Sequence, residues 1–142
     1  MIGKWKGFYK FDKQAIQDRI GFDKTNFTIN IDTFENNRFK GKVEDDIFTR
    51  GTPGVGTIEG SINGEKVKFV KRMPVKAAIT KSGKIVTFKV KHDPIYYEGT
   101  FANDRKSIKG TWKIKLSFSM ISLLGILLPT KGYWEMDFVE EN

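Results

Sequence analysis

Val55-Gly56-Thr57-Ile58-Glu59-Gly60-Ser61-Ile62-Asn63-Gly64-Glu65-Lys66-Val67-Lys68-Phe69-Val70-Lys71-Arg72-Met73 is the stretch that decides the fold. Ile58, Gly60 and Ile62 alternate with Glu59 and Ser61, and Val67 and Phe69 alternate with Lys66 and Lys68. A strand with one buried face requires that period of two. Asn63-Gly64 stands between the two runs. Two adjacent positive-φ residues make a type I′ turn whose twist matches the flanking strands, so 55–62 and 65–73 are expected to form a hairpin.

The same alternation recurs outward from this hairpin. Phe27, Ile29 and Ile31 alternate with Thr28, Asn30 and Asp32; Val86, Phe88 and Val90 with Thr87, Lys89 and Lys91; and Ile108, Trp112, Ile114 and Leu116 with Lys109, Thr111, Lys113 and Lys115. Turn residues fall between the runs at Glu35-Asn36-Asn37, Lys81-Ser82-Gly83, His92-Asp93-Pro94 and Asn103-Asp104, as in an antiparallel meander. Strands are predicted over 3–11, 25–33, 38–46, 55–62, 65–73, 85–91, 95–102, 107–117 and 132–139. No linker or low-complexity tract interrupts them, so residues 1–142 are read as one domain.

A second regularity separates barrel from sandwich. Apolar-x-Gly-x-apolar occurs at Phe39-Gly41-Val43, Ile58-Gly60-Ile62, Tyr97-Gly99-Phe101 and Ile108-Gly110-Trp112. Each glycine lies mid-strand on the apolar face, where it buries no side chain. Its use is a sharp bend or a close backbone approach, as in a small closed barrel. The expected fold is all-β, a single antiparallel up-and-down barrel of eight to ten strands. An odd number cannot close with every neighbour antiparallel. One of the nine runs is therefore not a barrel strand, or residues 14–22 supply another.

Gly3-Lys4-Trp5 resembles the G-x-W signature on the first strand of calycin-type barrels: lipocalins, fatty-acid-binding proteins and avidin-like proteins. The meander is similar over most of the chain. The resemblance implies an up-and-down barrel with an interior ligand site and carries over no individual ligand contact.

Composition narrows the chemistry. The chain has 142 residues, 39% of them apolar, with no Cys and one His. Its length suffices to bury roughly two-thirds of the unfolded surface without disulfides or a structural metal. No metal or cofactor is expected, because His92 has no Cys or second His to complete a zinc site. Gly54-x-Gly56 meets Glu59 where a third glycine would complete a dinucleotide fingerprint, and it opens a strand rather than a helix. No nucleophile–base pair is readable, so no catalytic residue is assigned. Glu44-Asp45-Asp46 alternates between faces and reads as a solvated strand end. Met1-Ile2-Gly3-Lys4-Trp5 shows no apolar run before a small-residue cleavage site, so no leader is expected, and the apolar stretch 116–129 is shorter than the roughly 20 residues of a membrane span. The expected location is cytoplasmic.

The chain carries an excess of eight positive charges. Most of its lysines fall on the polar faces of strands, as on the solvated outside of a barrel, where they also discourage edge pairing. Nucleic acid is therefore not the expected partner. Lys6-Gly7-Phe8-Tyr9-Lys10-Phe11 matches an RNA-recognition signature only loosely.

Parity points to a site. If the glycine-bearing face is inward, Asp45 follows Phe39, Gly41 and Val43 inward, and Lys71 follows Val67 and Phe69. Both reach the same mouth of a simple meander, as does Tyr9. His92, continuing Val86, Phe88 and Val90, arrives near the opposite mouth. Buried charges do not persist unpaired, so the inward polar groups imply an internal ion pair, a bulge that turns them out, or a polar ligand. Trp5, Phe69, Phe88, Tyr97, Phe101, Trp112 and Trp134 are expected as aromatic walls.

The resulting expectation is a carrier of a small apolar or amphiphilic ligand, with an anionic group near Lys71. Its ligand-binding residues are Tyr9, Asp45, Phe69, Lys71, Phe88, Tyr97 and Trp112. A non-catalytic interaction module is the alternative, using either the basic surface or the apolar stretch 117–130. In that stretch Leu123, Leu124 and Leu127 suggest a plug in the barrel end or a homo-oligomer contact.

Overall fold

A computed structural model describes residues 1–79, 85–88, 93–114 and 131–141. In chain order the elements are β1 (Gly3–Phe11), α1 (Gln14–Ile20), β2 (Thr25–Glu35), β3 (Arg38–Asp45), a short 3-10 turn (Ile47–Thr49), β4 (Val55–Asn63), β5 (Lys66–Arg72), β6 (Lys76–Ile79), β7 (Ile85–Phe88), β8 (Ile95–Phe101), β9 (Ser107–Ile114) and β10 (Lys131–Glu140). Eight of the strands close into an antiparallel up-and-down barrel in the order β1-β10-β9-β8-β5-β4-β3-β2, and β6 pairs with β7 in a separate two-stranded sheet.

Two expectations are corrected here. The described part of the run 85–91, residues 85–88, is not in the barrel wall, and 89–91 lie outside the described residues: β5 pairs directly with β8, setting Phe69 opposite Tyr97 and Val67 opposite Gly99. The barrel thereby closes with an even number of strands. Residues 14–22 supply no strand either, because α1 occupies them and ends at Gly21 in the left-handed region (φ 81°). The second correction concerns the turn between β4 and β5. Its loop is Gly64-Glu65, with Asn63 paired to Lys66 and Gly64 at φ 63°. A loop at Asn63-Gly64 would have set Glu65 in the wall opposite Ile62, on the inward face. The observed register sets Val67 opposite Ile62 and leaves the Glu65 carboxylate in solvent. Two adjacent positive-φ residues occur instead at Asn36-Asn37, between β2 and β3.

Inward-facing side chains of the wall strands form one apolar core. Trp5, Ile29, Ile31, Phe39, Ile58, Val67, Ile108, Trp134 and Met136 are all but completely buried. The inward glycines make room for this packing. Gly99 and Gly110 face one another across β8 and β9, and Trp134 of β10 stands opposite Gly110. The indole lies against Gly99, and its Nε1 donates to the carbonyls of Glu98 and Thr111 at 3.1 Å. A Cβ on Gly99 would come within 2.6 Å of Trp134 Cζ2. The close-approach reading of these glycines holds.

Connection lengths make the two ends unlike. At one end lie the tight turns 36–37, 64–65 and 102–106, together with the outer ends of β1 and β10. At the other lie the ends of β1, β3, β5 and β9 and the starts of β2, β4, β8 and β10, whose connections are all longer in sequence, with the described stretches 12–24 and 46–54 among them. α1 lies at that second mouth and packs Ile16 and Ile20 against Phe11. Gln17 ties it down, accepting from Phe11 N at 3.2 Å and donating to the carbonyl of Phe22. Among the described residues, no helix is long and apolar enough to cross a membrane. His92 and Leu123, Leu124 and Leu127 lie outside the described residues.

Candidate functional site

In the mouth that bears the long connections, the apolar interior gives way to a polar layer. Each member is placed by alternation: Tyr9 follows Trp5 and Gly7 on β1, Thr25 precedes Phe27 on β2, Asp45 follows Val43 on β3, and Lys71 follows Phe69 on β5. Asp45 stands opposite Phe27, and Lys71 stands opposite Ile58 on one side and Ile95 on the other. β3 and β5 run the same way with β4 between them, so the two charged side chains meet inside the barrel.

Lys71 Nζ lies 2.5 Å from Asp45 Oδ1, with the two side chains 2% and 1% exposed. The Tyr9 hydroxyl donates to Asp45 Oδ2 at 3.3 Å, and the backbone amide of Thr52 donates to the same oxygen at 3.4 Å. The Lys71 ammonium also stands 4.9 Å from the centre of the Tyr9 ring and 5.8 Å from that of Phe27, within reach of both ring quadrupoles. The internal ion pair is thus the outcome that parity left open among three. Burial lifts the Tyr9 phenol well above its ordinary value, and the adjacent Asp45 charge adds to the lift. Tyr97 is raised in the same way, by burial first and by Asp45 second. Both phenols therefore keep their protons, and that of Tyr9 is donated to the carboxylate.

Four of the seven residues expected to bind a ligand come together here: Tyr9, Asp45, Lys71 and Trp112. Trp112 meets Tyr9 edge to face at 6.1 Å, and its Nε1 donates to the carbonyl of Lys10 at 3.1 Å. Phe69 and Tyr97 stack at 4.6 Å between ring centres with Trp134 edge-on to both, and Tyr97 stands opposite Trp112 in the wall. They belong to the apolar core. Phe88 is on β7 opposite Lys76, away from the barrel wall in which it was expected.

The acidic run divides by face. Glu44 is exposed and Asp45 is buried, so the solvated strand-end reading holds for the first and fails for the second. Asp46 accepts from the Phe48 amide at 3.0 Å and caps the 3-10 turn. Sequence reading missed Thr25, Phe27 and Thr52. Thr25 was visible as the in-phase residue before Phe27; Thr52 contributes a backbone amide from a loop and leaves no mark in side-chain pattern.

The outer wall is a mixed-charge surface. Lys40 meets Glu59 at 3.8 Å, Lys68 meets Glu98 at 3.9 Å, and Lys109 meets Glu135 at 3.0 Å, each across neighbouring strands. Among the described residues, no group of three or more His, Cys, Asp or Glu is placed to hold a metal ion. Compared with known protein families, curated proteins and solved structures, the chain matches none.

Proposed function

We propose that this barrel binds a small, mainly apolar molecule at the mouth that bears its long connections, with Lys71, Asp45 and Tyr9 as polar contacts and Trp112 and Phe27 as apolar ones. The observation that carries the reading is the buried Lys71–Asp45 pair. Withdrawing two charges from water costs several kcal/mol per ion, and a packed apolar pair serves stability as well or better. A charged pair kept at the one mouth with long connections is therefore read as a specificity device. An eight-stranded barrel leaves room inside for one small ligand at most. Because Asp45 already meets the charge of Lys71, the ligand supplies a neutral hydrogen-bonding group rather than an anionic one. The eight-stranded meander and the Gly3-Lys4-Trp5 opening support assignment to the calycin type of barrel.

The test is titration of the folded protein with an environment-sensitive apolar fluorophore. Binding near one equivalent is expected, weakened in Trp112→Ala and in the double variant Lys71→Met/Asp45→Leu. If neither apolar nor amphiphilic probes bind the wild-type protein, the reading is lost. A second reading, partner docking at the same mouth, is favoured by Phe48. This residue is 81% exposed beside Ile47, on a turn anchored by Asp46 and by the bond from Thr25 Oγ1 to the Thr49 carbonyl (2.8 Å).

A further inference from the structure

Outside the barrel, one place breaks the cross-strand charge pattern. Lys4, Lys40, Lys68 and Lys109 each reach a glutamate on a neighbouring strand. Lys113 and Lys131 instead stand directly opposite each other, the one such like-charge pair among the described registers. Like charges so placed destabilise a sheet. Lys131 is partly offset by Asp12 at 3.7 Å, whereas Lys113 has no ion pair among the described residues.

The two lysines rim a depression of about 350 Å³ across β8, β9 and β10. Thr111 forms its low floor, with Tyr133 opposite it and Glu98 on the other side. Tyr96 is paired in register with Lys113. Tyr96 and Tyr133 are 40% and 58% exposed, among the most exposed aromatic side chains described. Tyrosine rings held on a rigid sheet are stacking surfaces that accept any planar ring.

We infer that this outer depression is a second binding site, separate from the mouth, for a small molecule in which a planar aromatic ring carries a phosphate: a free mononucleotide in chemical class. The ring lies over Thr111 against Tyr133, and the phosphate sits between Lys113 and Lys131, relieving their repulsion. Glu98 faces the ring edge and accepts from an exocyclic amine, which favours adenine or cytosine over uracil. The depression is open and the neighbouring wall alternates in charge, so it suits one nucleotide rather than the backbone of a long strand.

The experiment follows backbone amide resonances of the full chain during titration with adenosine monophosphate, inorganic phosphate, adenosine and a short oligodeoxythymidine. Adenosine monophosphate should shift the amides of Thr111, Lys113 and Tyr133 and bind at least about tenfold more tightly than phosphate or adenosine alone. Lys113→Glu should weaken it about tenfold or more, and Tyr133→Ala about fivefold. Both are exposed positions, so unchanged thermal unfolding shows that the fold is intact. The inference is overturned if these amides do not respond, if inorganic phosphate binds as tightly as the nucleotide, or if Lys113→Glu binds undiminished. It is also overturned, in favour of a nucleic-acid surface, if the oligonucleotide binds more than about a hundredfold more tightly than the nucleotide.

Discussion

The ammonium of Lys71 and the carboxylate of Asp45 meet at 2.5 Å although the residues stand on strands that do not touch, with β4 between them in the wall. Their contact therefore spans the inner face of β4. Removing one partner leaves the other buried and unpaired. Lys71→Met and Asp45→Leu should each lower stability by about 3–5 kcal/mol, whereas the double variant should lose far less and can gain. Urea denaturation of the four proteins measures this. Additive losses in the double variant would show that the two charges act independently.

Alkaline pH should unfold the protein through its buried phenols. Tyr9 and Tyr97 hold their protons in the folded state well above the ordinary tyrosine value of 10.0. Below about pH 10 both folded and unfolded chains keep these protons, and stability does not respond to them. Above it the unfolded chain binds fewer protons than the folded one. Stability then falls by about 1.4 kcal/mol per pH unit for each residue until the folded phenol ionises. Tyr9→Phe should remove one such share. Denaturation midpoints at pH 8, 10 and 11 check the slope, and equal slopes in variant and wild type would contradict it.

Gly110→Ala should destabilise the barrel by about 2–3 kcal/mol, because the added methyl would run into the backbone of Glu98 and force β8 and β9 apart. The Trp134 indole should lose its carbonyl partners in the same event. A red shift in tryptophan emission together with a lower thermal midpoint is the expected signature.

Mixed-sequence DNA or RNA should bind weakly, and the binding should vanish by physiological salt. The cross-strand glutamates give the reason. A phosphate backbone laid across β3, β4, β5 and β8 would meet Glu59 and Glu98 as often as their lysine partners. Fluorescence anisotropy across a salt series tests this, and sub-micromolar binding at physiological salt would reverse it.

Most of the barrel was legible because a strand with one dry face writes its parity into the chain. The same parity assigns Asp45, Lys71 and Tyr9 to one mouth. It misplaced Phe88, since alternation reports that a strand has two unlike faces and not which sheet it joins; β6 and β7 pair with each other in a long excursion from the wall. The turn at Gly64-Glu65 was misread by one residue for a related reason. Local turn preference favoured Asn63-Gly64, and the cost of an inward Glu65, visible only across two paired strands, outweighed it. Thr52 enters the site through its backbone, about which a side-chain pattern is silent.

The seam between β1 and β10 sets a condition on how the molecule is made. Trp5 pairs with Phe138 and Tyr9 with Trp134, so the first strand synthesised must wait for the last. Until residues 131–140 leave the ribosome, β1 and β9 are both open edges, and Gly99 and Gly110 flank a gap that Trp134 has not yet filled. A nascent chain stopped short of β10 is an open sheet with two templates for pairing with its neighbours. Truncation after residue 130 should therefore yield aggregate rather than a smaller barrel, and cellular production of this protein should depend on chaperones through the final stage of translation.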